Sequence, residues 1–326
     1  MMNDKRLLAM AMDRTKVIAT ISELNQRESL PLILDCSNDT LLHRACRGNN
    51  VELVAFLLSN KSRFDVNRSN KNGKSALHEA ALIGSLPIVE LLLHHGAHSS
   101  ATKHNAWTPL MCACEKGHAQ VAEILIGDSL EVANKEGSTC LYIASRAGNF
   151  ECVKILVANG AIIRTTNNNL RSPVHAAAMN GHLEILKFLF ESGADVYCED
   201  SVGHTVWHEA AGNGHVNVLT YLGTLDSDGY TADNCGRYPL HVASKEGHEA
   251  VVQFFITKHV DVNVCDHEGL TCGHICSAKG HANALARLIQ AGMKDIRCKQ
   301  GRSAMDYAEG WNRVECIKLL QHCSFI

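Results

Sequence analysis

The sequence predicts an all-α solenoid of about nine helix-turn-helix repeats joined by β-hairpin-like loops, and three observations predict it. A hydroxyl-bearing residue returns in register at Thr40, Ser75, Thr108, Thr139, Ser172, Thr205, Tyr238, Thr271 and Ser303, at intervals of 31 to 35 residues. That period marks stacked two-helix units. Each mark is followed by a short helix pattern of small residues, then by a helix apolar over much of its circumference, which needs a copy of itself on either side. Composition agrees: 46% of residues are hydrophobic but only 5% aromatic, as expected of thin layers of alanine and leucine.

The fullest copy is RSPVHAAAMNGHLEILKFLFESGADV, Arg171 to Val196. Ser172 and Pro173 open its first helix, the hydroxyl capping free N–H groups and the proline fitting a turn where its missing donor costs nothing. Ala176 to Ala178 keep one face thin. Gly181 supplies the left-handed conformation of a sharp helix end, and Leu183, Ile185, Leu186, Phe188, Leu189 and Phe190 build the second helix.

Residues 1–37 read as an N-terminal helical cap or degenerate half-repeat, with two short helices at Lys5 to Met12 and Thr15 to Leu24. Residues 38–326 hold the nine repeats, the last of which, at about 301–326, is a C-terminal cap with Asp306 in the slot that histidine fills in six other repeats. Repeat one has Asn49 where glycine ends the first helix, and asparagine tolerates that conformation. Repeat two carries Pro87 in the first turn of its second helix, an allowed place. Repeats three and four put Met111 and Tyr142 in the histidine slot, and repeat three has a shortened link through Gly127 and Asp128. Repeat seven has His259 at a glycine position. After repeat six comes an irregular segment, 223–236, in which Asp226, Asp228 and Gly229 form part of a calcium loop. The other oxygen ligands and the closing glutamate are missing, so it reads as a solvated loop.

Net charge is −3 and the isoelectric point about 6.7, so nothing drives the chain towards nucleic acid or acidic membranes as a whole. No apolar run approaches the roughly 18 residues of a membrane-spanning helix, and the N-terminal stretch lacks a secretory pattern. The fourteen cysteines include no C-x-x-C pair, which points to a reducing compartment and to the cytoplasm or nucleus. Neither a nucleophile elbow, a phosphate-binding glycine loop nor a carboxylate pair stands clear of the repeats. Catalytic residues, cofactors and a small-molecule substrate are therefore not expected. Cys272, His274 and Cys276 are the most metal-like cluster, but helix residues two apart diverge, so no metal site is expected either. Of nineteen histidines, register explains His43, His78, His175, His208, His241 and His274 at one slot, and His118, His182, His215, His248 and His281 after the helix-ending glycine. The others, His204 among them, have no carboxylate at a telling distance.

Two rows of variable residues offer a surface. The residue before each register mark gives Lys74, Trp107, Ser138, Arg171, His204, Arg237, Leu270 and Arg302, near the turn tips. The variable residue of the first helix gives Arg44, Glu79, Cys112, Ile143, Ala176, Glu209, Val242, Ile275 and Tyr307. Trp107, read as an exposed indole, has no folding reason, and tryptophan and arginine dominate interface energies. With Lys103, His104 and Lys135 on neighbouring tips it centres a protein-binding groove on repeats two to five. The candidate contact residues are Lys74, Glu79, Lys103, His104, Trp107, Cys112, Lys135, Ser138, Ile143, Arg171, His204 and Arg237. Nucleic acid is disfavoured because Glu136, Glu199, Asp200, Asp233, Asp266 and Glu268 interrupt the basic row. A monomer is expected.

Ser-Pro-Val-His-x-Ala at Ser172 to Ala177 is a close variant of the signature T-P-L-H-x-A, and with its copies the chain from about residue 38 onward resembles the ankyrin-repeat family. The resemblance implies a protein-binding scaffold or adaptor, with the signature imidazoles bracing adjacent loops. Adaptors for ubiquitin ligation in that family need a further C-terminal box, for which the cap leaves no room. ALHEAALIG, KHNAWTPLMCAC, NKEGSTCLYIASRAGN, SPVHAAAMNGHLE and AGMKD, in that order, also resemble a narrower group of ankyrin-repeat proteins. That likeness implies association with alanyl-tRNA synthetase and limitation of serine mischarging, with exposed lysines accepting the misactivated amino acid. Lys135 matches such a lysine and Lys103 is one position displaced. His104 and Arg164 stand where further lysines are expected.

Overall fold

The computed structural model describes residues 37–59, 65–225 and 230–323. The expected N-terminal cap and the calcium-like residues Asp226, Asp228 and Gly229 lie outside these. Among the described residues there are eighteen α-helices and two short 3-10 turns, in two compact units split at Asn168 and Asn169.

In the first unit, four first helices, α1 (Leu41–Arg47), α3 (Ala76–Ile83), α5 (Pro109–Lys116) and α7 (Cys140–Ala147), alternate with four second helices. These are α2 (Val51–Ser59), α4 (Leu86–His94), α6 (Ala119–Leu125) and α8 (Phe150–Ala158). The second unit repeats the plan with first helices α9 (Pro173–Met179), α11 (Val206–Gly212), α13 (Pro239–Glu246), α15 (Cys272–Lys279) and α17 (Ala304–Gly310). Its second helices are α10 (Leu183–Glu191), α12 (Val216–Leu225), α14 (Glu249–Thr257), α16 (Ala282–Gln290) and α18 (Val314–Gln321). Within each unit, first helices pack on first helices and second on second. Alanines such as Ala80, Ala81, Ala113, Ala210, Ala211 and Ala243 are wholly enclosed between first helices, whereas Leu53, Leu92, Leu156, Leu189 and Leu285 fill the layer below.

Each first helix begins at its register mark. Thr40, Ser75, Ser172, Thr205 and Thr271 form reciprocal caps with the histidine three residues on, and Ser303 does so with Asp306; at Tyr238 only the backbone N–H donates to the histidine, His241. Pro109, Pro173 and Pro239 follow their marks at the first helical position, where the missing N–H is not needed. Helix ends are as the sequence suggests: Asn49 and His259 adopt φ of 51° and 56°, the left-handed region. At Gly84, φ is +80° and an added Cβ would run into the His118 ring, so glycine is required twice over.

The connecting loops are tight turns rather than strands; among the described residues the only bridges are Lys103–Trp107 and Cys265–Thr271. A side-chain carbonyl or carboxylate oxygen shapes most of them. Asn70, Asn134, Asp200, Asp233 and Asp266 each accept the N–H groups two and four residues on, at 2.8–3.0 Å. Where Lys103 replaces the Asn or Asp, the turn becomes a 3-10 turn with Asn105 and Ala106 at φ of 65° and 57°. Successive turns are joined through main-chain atoms. In the first unit Lys71 N–H donates to Ser37 O, His104 to Asn72, Lys135 to Asn105 and Asn168 to Glu136; in the second, Ser201 donates to Asn169, Asn234 to Val202, His267 to Cys235 and Lys299 to Glu268.

Candidate functional site

Two histidine series fix how far each turn stands from its neighbour. In the first, Nδ1 accepts the N–H of the capping residue, which leaves the proton on Nε2. Nε2 then donates to a carbonyl of the next turn: His43 to Lys74 (2.8 Å), His78 to Trp107 (3.0 Å), His175 to His204 (3.1 Å), His208 to Arg237 (2.9 Å), His241 to Leu270 (3.1 Å) and His274 to Arg302 (3.0 Å). The acceptors are the residues before the register marks, so the candidate surface row is held by its own backbone. Burial pushes the imidazoles of His78 and His208 down to about 4 and lowers those of His175, His241 and His274, so all five are neutral at pH 7. The second series reaches back to the previous repeat, from His118 to Leu82 O, His215 to Met179 O, His248 to Gly212 O and His281 to Lys245 O, with Asn149 in the same role.

On the first unit, the row is partly closed by its own charges. Glu79 is buried, 3% exposed, 2.8 Å from Arg47 and 3.4 Å from Lys74, while Arg47 also meets Asp39 at 2.9 Å. Burial pushes the Glu79 carboxyl up, but Arg47 and Lys74 outweigh this and hold it below the usual range. Cys112, Ile143 and Ser138 are enclosed as well, at 0–1% exposed. They and Glu79 were expected to line an open groove. The structure corrects this: Arg47 and Lys74 lie against Glu79, and Cys112, Ile143 and Ser138 are shut off from solvent. Trp107 is half-buried rather than exposed, with the Lys103 ammonium 4.9 Å from its ring centroid. His104 and Lys135 are exposed on the tips. The structure therefore brings together Lys103 with Trp107, and Lys74 with Glu79.

On the second unit, Arg171, His204 and Arg237 stand in a charge network that the sequence reading missed. Arg171 lies 3.0 Å from Asp200 and 2.7 Å from Glu209, and Arg237 2.7 Å from Asp233. His204 was expected to have no carboxylate nearby, yet Nε2 is 3.3 Å from Asp233 and Nδ1 3.7 Å from Glu209. Its ring also stacks on His208, centroids 4.9 Å apart. Asp200 and Asp233, read as interruptions of a basic row, lie buried beneath it. Burial raises their carboxyls, but donated N–H groups and the Arg171 and Arg237 guanidinium groups bring them below the usual range. The available signal was the lattice of the repeat, since Asp233 is 29 residues from His204, one turn on.

Ligand atoms of Asp200, His204 and Glu209 lie within 4.8 Å of one another, a spacing that suits a divalent cation. The Arg171 guanidinium already stands against both carboxylates and offsets one of their two negative charges. Cys272, His274 and Cys276 do not converge: His274 donates to Arg302 O, Cys276 Sγ points to Ser244 O at 3.6 Å, and burial pushes the Cys276 thiol up to about 12. No helix among the described residues is long and apolar enough to cross a membrane.

A family profile described as ankyrin repeats (3 copies) matches residues 17–103, 96–167, 174–266 and 240–325. Among individual proteins, the chain is 35% identical over 128 residues to tyrosine-protein kinase HTK16 of Hydra vulgaris, covering 38% of this chain and 17% of that one. It is 31% identical over 137 residues to SH3 and multiple ankyrin repeat domains protein 2 of Homo sapiens, covering 41% and 7%. Protein phosphatase 1 regulatory subunit 27 of Mus musculus is 36% identical over 103 residues, covering 31% and 66%. Each match thus spans less than two thirds of the relative's own length.

Proposed function

Because the chain belongs to the ankyrin-repeat family, whose repeats generally mediate protein–protein interaction, we propose that it is a non-enzymatic scaffold or adaptor. It binds a protein partner on the face made by its first helices and turn tips, as a monomer, in the cytoplasm or nucleus. The observation that carries the reading for the first unit is the Lys103–Trp107 pair. An ammonium 4.9 Å from a half-buried indole at a turn tip offers a rigid aromatic anchor beside a cation. Affinity capture with the intact chain beside a Trp107→Ala, Lys135→Ala variant tests it. Proteins retained by the first and lost by the second, with the variant still folded, support the tip surface; identical retention by both removes these residues from it.

A second reading follows the narrower resemblance, in which the partner is alanyl-tRNA synthetase and lysines accept a misactivated amino acid. Lys135 favours it, since it is exposed on a turn tip and its ammonium has no ion pair among the described residues. The half-buried position of Lys103 over Trp107 argues against that lysine as a second acceptor. Recombinant alanyl-tRNA synthetase that fails to co-elute with the intact chain removes this reading and leaves the first.

A further inference from the structure

A cavity of about 270 Å³ opens within the second unit, between α13, α15 and α17. Its floor is apolar: Leu270, Ile275, Ala278 and the Tyr307 ring. His274 lines it without a free nitrogen, since Nδ1 accepts from Thr271 N–H and Nε2 donates to Arg302 O. The mouth is cationic. Arg237 is matched by Asp233, but Lys245 pairs only with the adjacent Glu246, at 3.3 Å with both side chains about half exposed, and Lys279 is exposed with no ion pair among the described residues. Such an exposed pair contributes little. The one lining carboxylate, Asp266, is already engaged, for it accepts the N–H groups of Glu268 and Leu270 at 2.9 and 2.8 Å. The volume falls below the roughly 300–1,000 Å³ of small-molecule sites and suits a single large side chain.

We propose that this cavity receives one aliphatic or aromatic side chain of an acidic peptide segment in a partner protein, whose flanking carboxylates meet Lys245 and Lys279. The inference rests on the protein-binding reading but sets the anchor in repeats seven to nine rather than at Trp107. Stacked nucleobases fit less well. The Tyr307 ring already carries the Arg302 guanidinium 5.8 Å from its centroid and the His274 ring edge-on against it, which leaves it no free face for a base.

Selection of displayed random twelve-residue peptides on the full chain tests the proposal. Recovered sequences are expected to place a leucine-, isoleucine- or phenylalanine-like residue beside at least two carboxylates. A fluorescent peptide of that consensus should bind about tenfold more weakly to Lys245→Glu, Lys279→Glu and to Ile275→Asp, with unchanged thermal midpoints for the charge variant. Its affinity should fall as salt rises, as charge-steered association does. Recovery of non-acidic sequences, or acidic peptides whose affinity ignores both variants, overturns this cavity while leaving the protein-binding reading intact. Failure to select any peptide, together with variant-sensitive binding of a single-stranded oligoribonucleotide, overturns both.

Discussion

The imidazole Nε2 of His78 lies 3.0 Å from the carbonyl oxygen of Trp107, so the repeat that begins at Ser75 is bolted to the turn of the next. The same bond recurs in six repeats, and in five of them, at His78, His175, His208, His241 and His274, the ring's Nδ1 accepts the cap N–H and so must stay neutral. A histidine whose folded pKa is depressed binds fewer protons in the native chain than in the unfolded one between those two values, so stability rises with pH through that window. It is complete above about 6.5 and is lost as pH falls towards about 4 for His78 and His208. A depression of this size is worth on the order of 3 kcal/mol per ring. Urea midpoints should therefore fall steeply from pH 6.5 to 4.5. Glu79, Asp200 and Asp233, whose carboxyls are lowered, give up their contribution only at more acid pH. A flat profile across 6.5 to 4.5 contradicts the neutral-imidazole account.

Asp233 accepts from the N–H groups of Cys235 and Arg237 and from the Arg237 side chain, all at 2.8 Å, and its side chain is fully buried. Asp233→Ala should cost about 1–2 kcal/mol, because it leaves two partly buried N–H groups of the turn unpaired. Arg237→Ala should cost under about 1 kcal/mol, since that side chain is partly in water. Chemical denaturation of both variants checks the order, and equal losses would show that the turn owes nothing to the carboxylate.

Two turn glycines have been replaced, and each replacement sits in the left-handed region: Ala106 at φ of 57° and Leu170 at φ of 59°. That conformation costs a side-chain-bearing residue about 1–2 kcal/mol, while glycine loses roughly 0.5–1 kcal/mol more backbone freedom on folding. Leu170→Gly should raise stability by about 0.5–1 kcal/mol. The converse, Gly203→Ala, should lower it by more than about 1 kcal/mol, as its Cβ would come within 2.7 Å of Asn234 N. Thermal midpoints that move the other way in either variant refute the strain.

Lys103 stands where Asn70, Asn134, Asp200, Asp233 and Asp266 shape their turns. Lys103→Asn with Ala106→Gly rebuilds the regular turn and should add about 1 kcal/mol of stability, since it regains the side-chain acceptor. The same change dismantles the cation over Trp107. If the tip is a contact, binding falls while stability rises, a split that a purely structural Lys103 does not produce.

The repeat plan was legible because it is periodic: the register marks, the two histidine series, Asn49, Pro87 and His259 all follow from position within a unit. The candidate surface was less so. Cys112, Ile143 and Ser138 share register positions with half-buried residues such as Arg44, Val242 and Arg237, so position within the unit does not by itself say which of them is enclosed. His204 looked isolated along the chain. Its carboxylates come from Glu209 on the following helix and from Asp233 a full turn away, neighbours only on the folded lattice. Trp107 is half-buried where its register position suggests a bare indole, because nothing local says that Lys103 has lost the turn-forming role and folds over the ring instead.

The ladder from turn to turn is made of N–H and C=O groups that every residue except proline supplies. Mutation can therefore rewrite Lys71, His104, Lys135 or Asn234 without removing a rung. Descendants of this chain are free to change their partner while inheriting the framework unaltered, so recognition and foldability evolve on separate tracks.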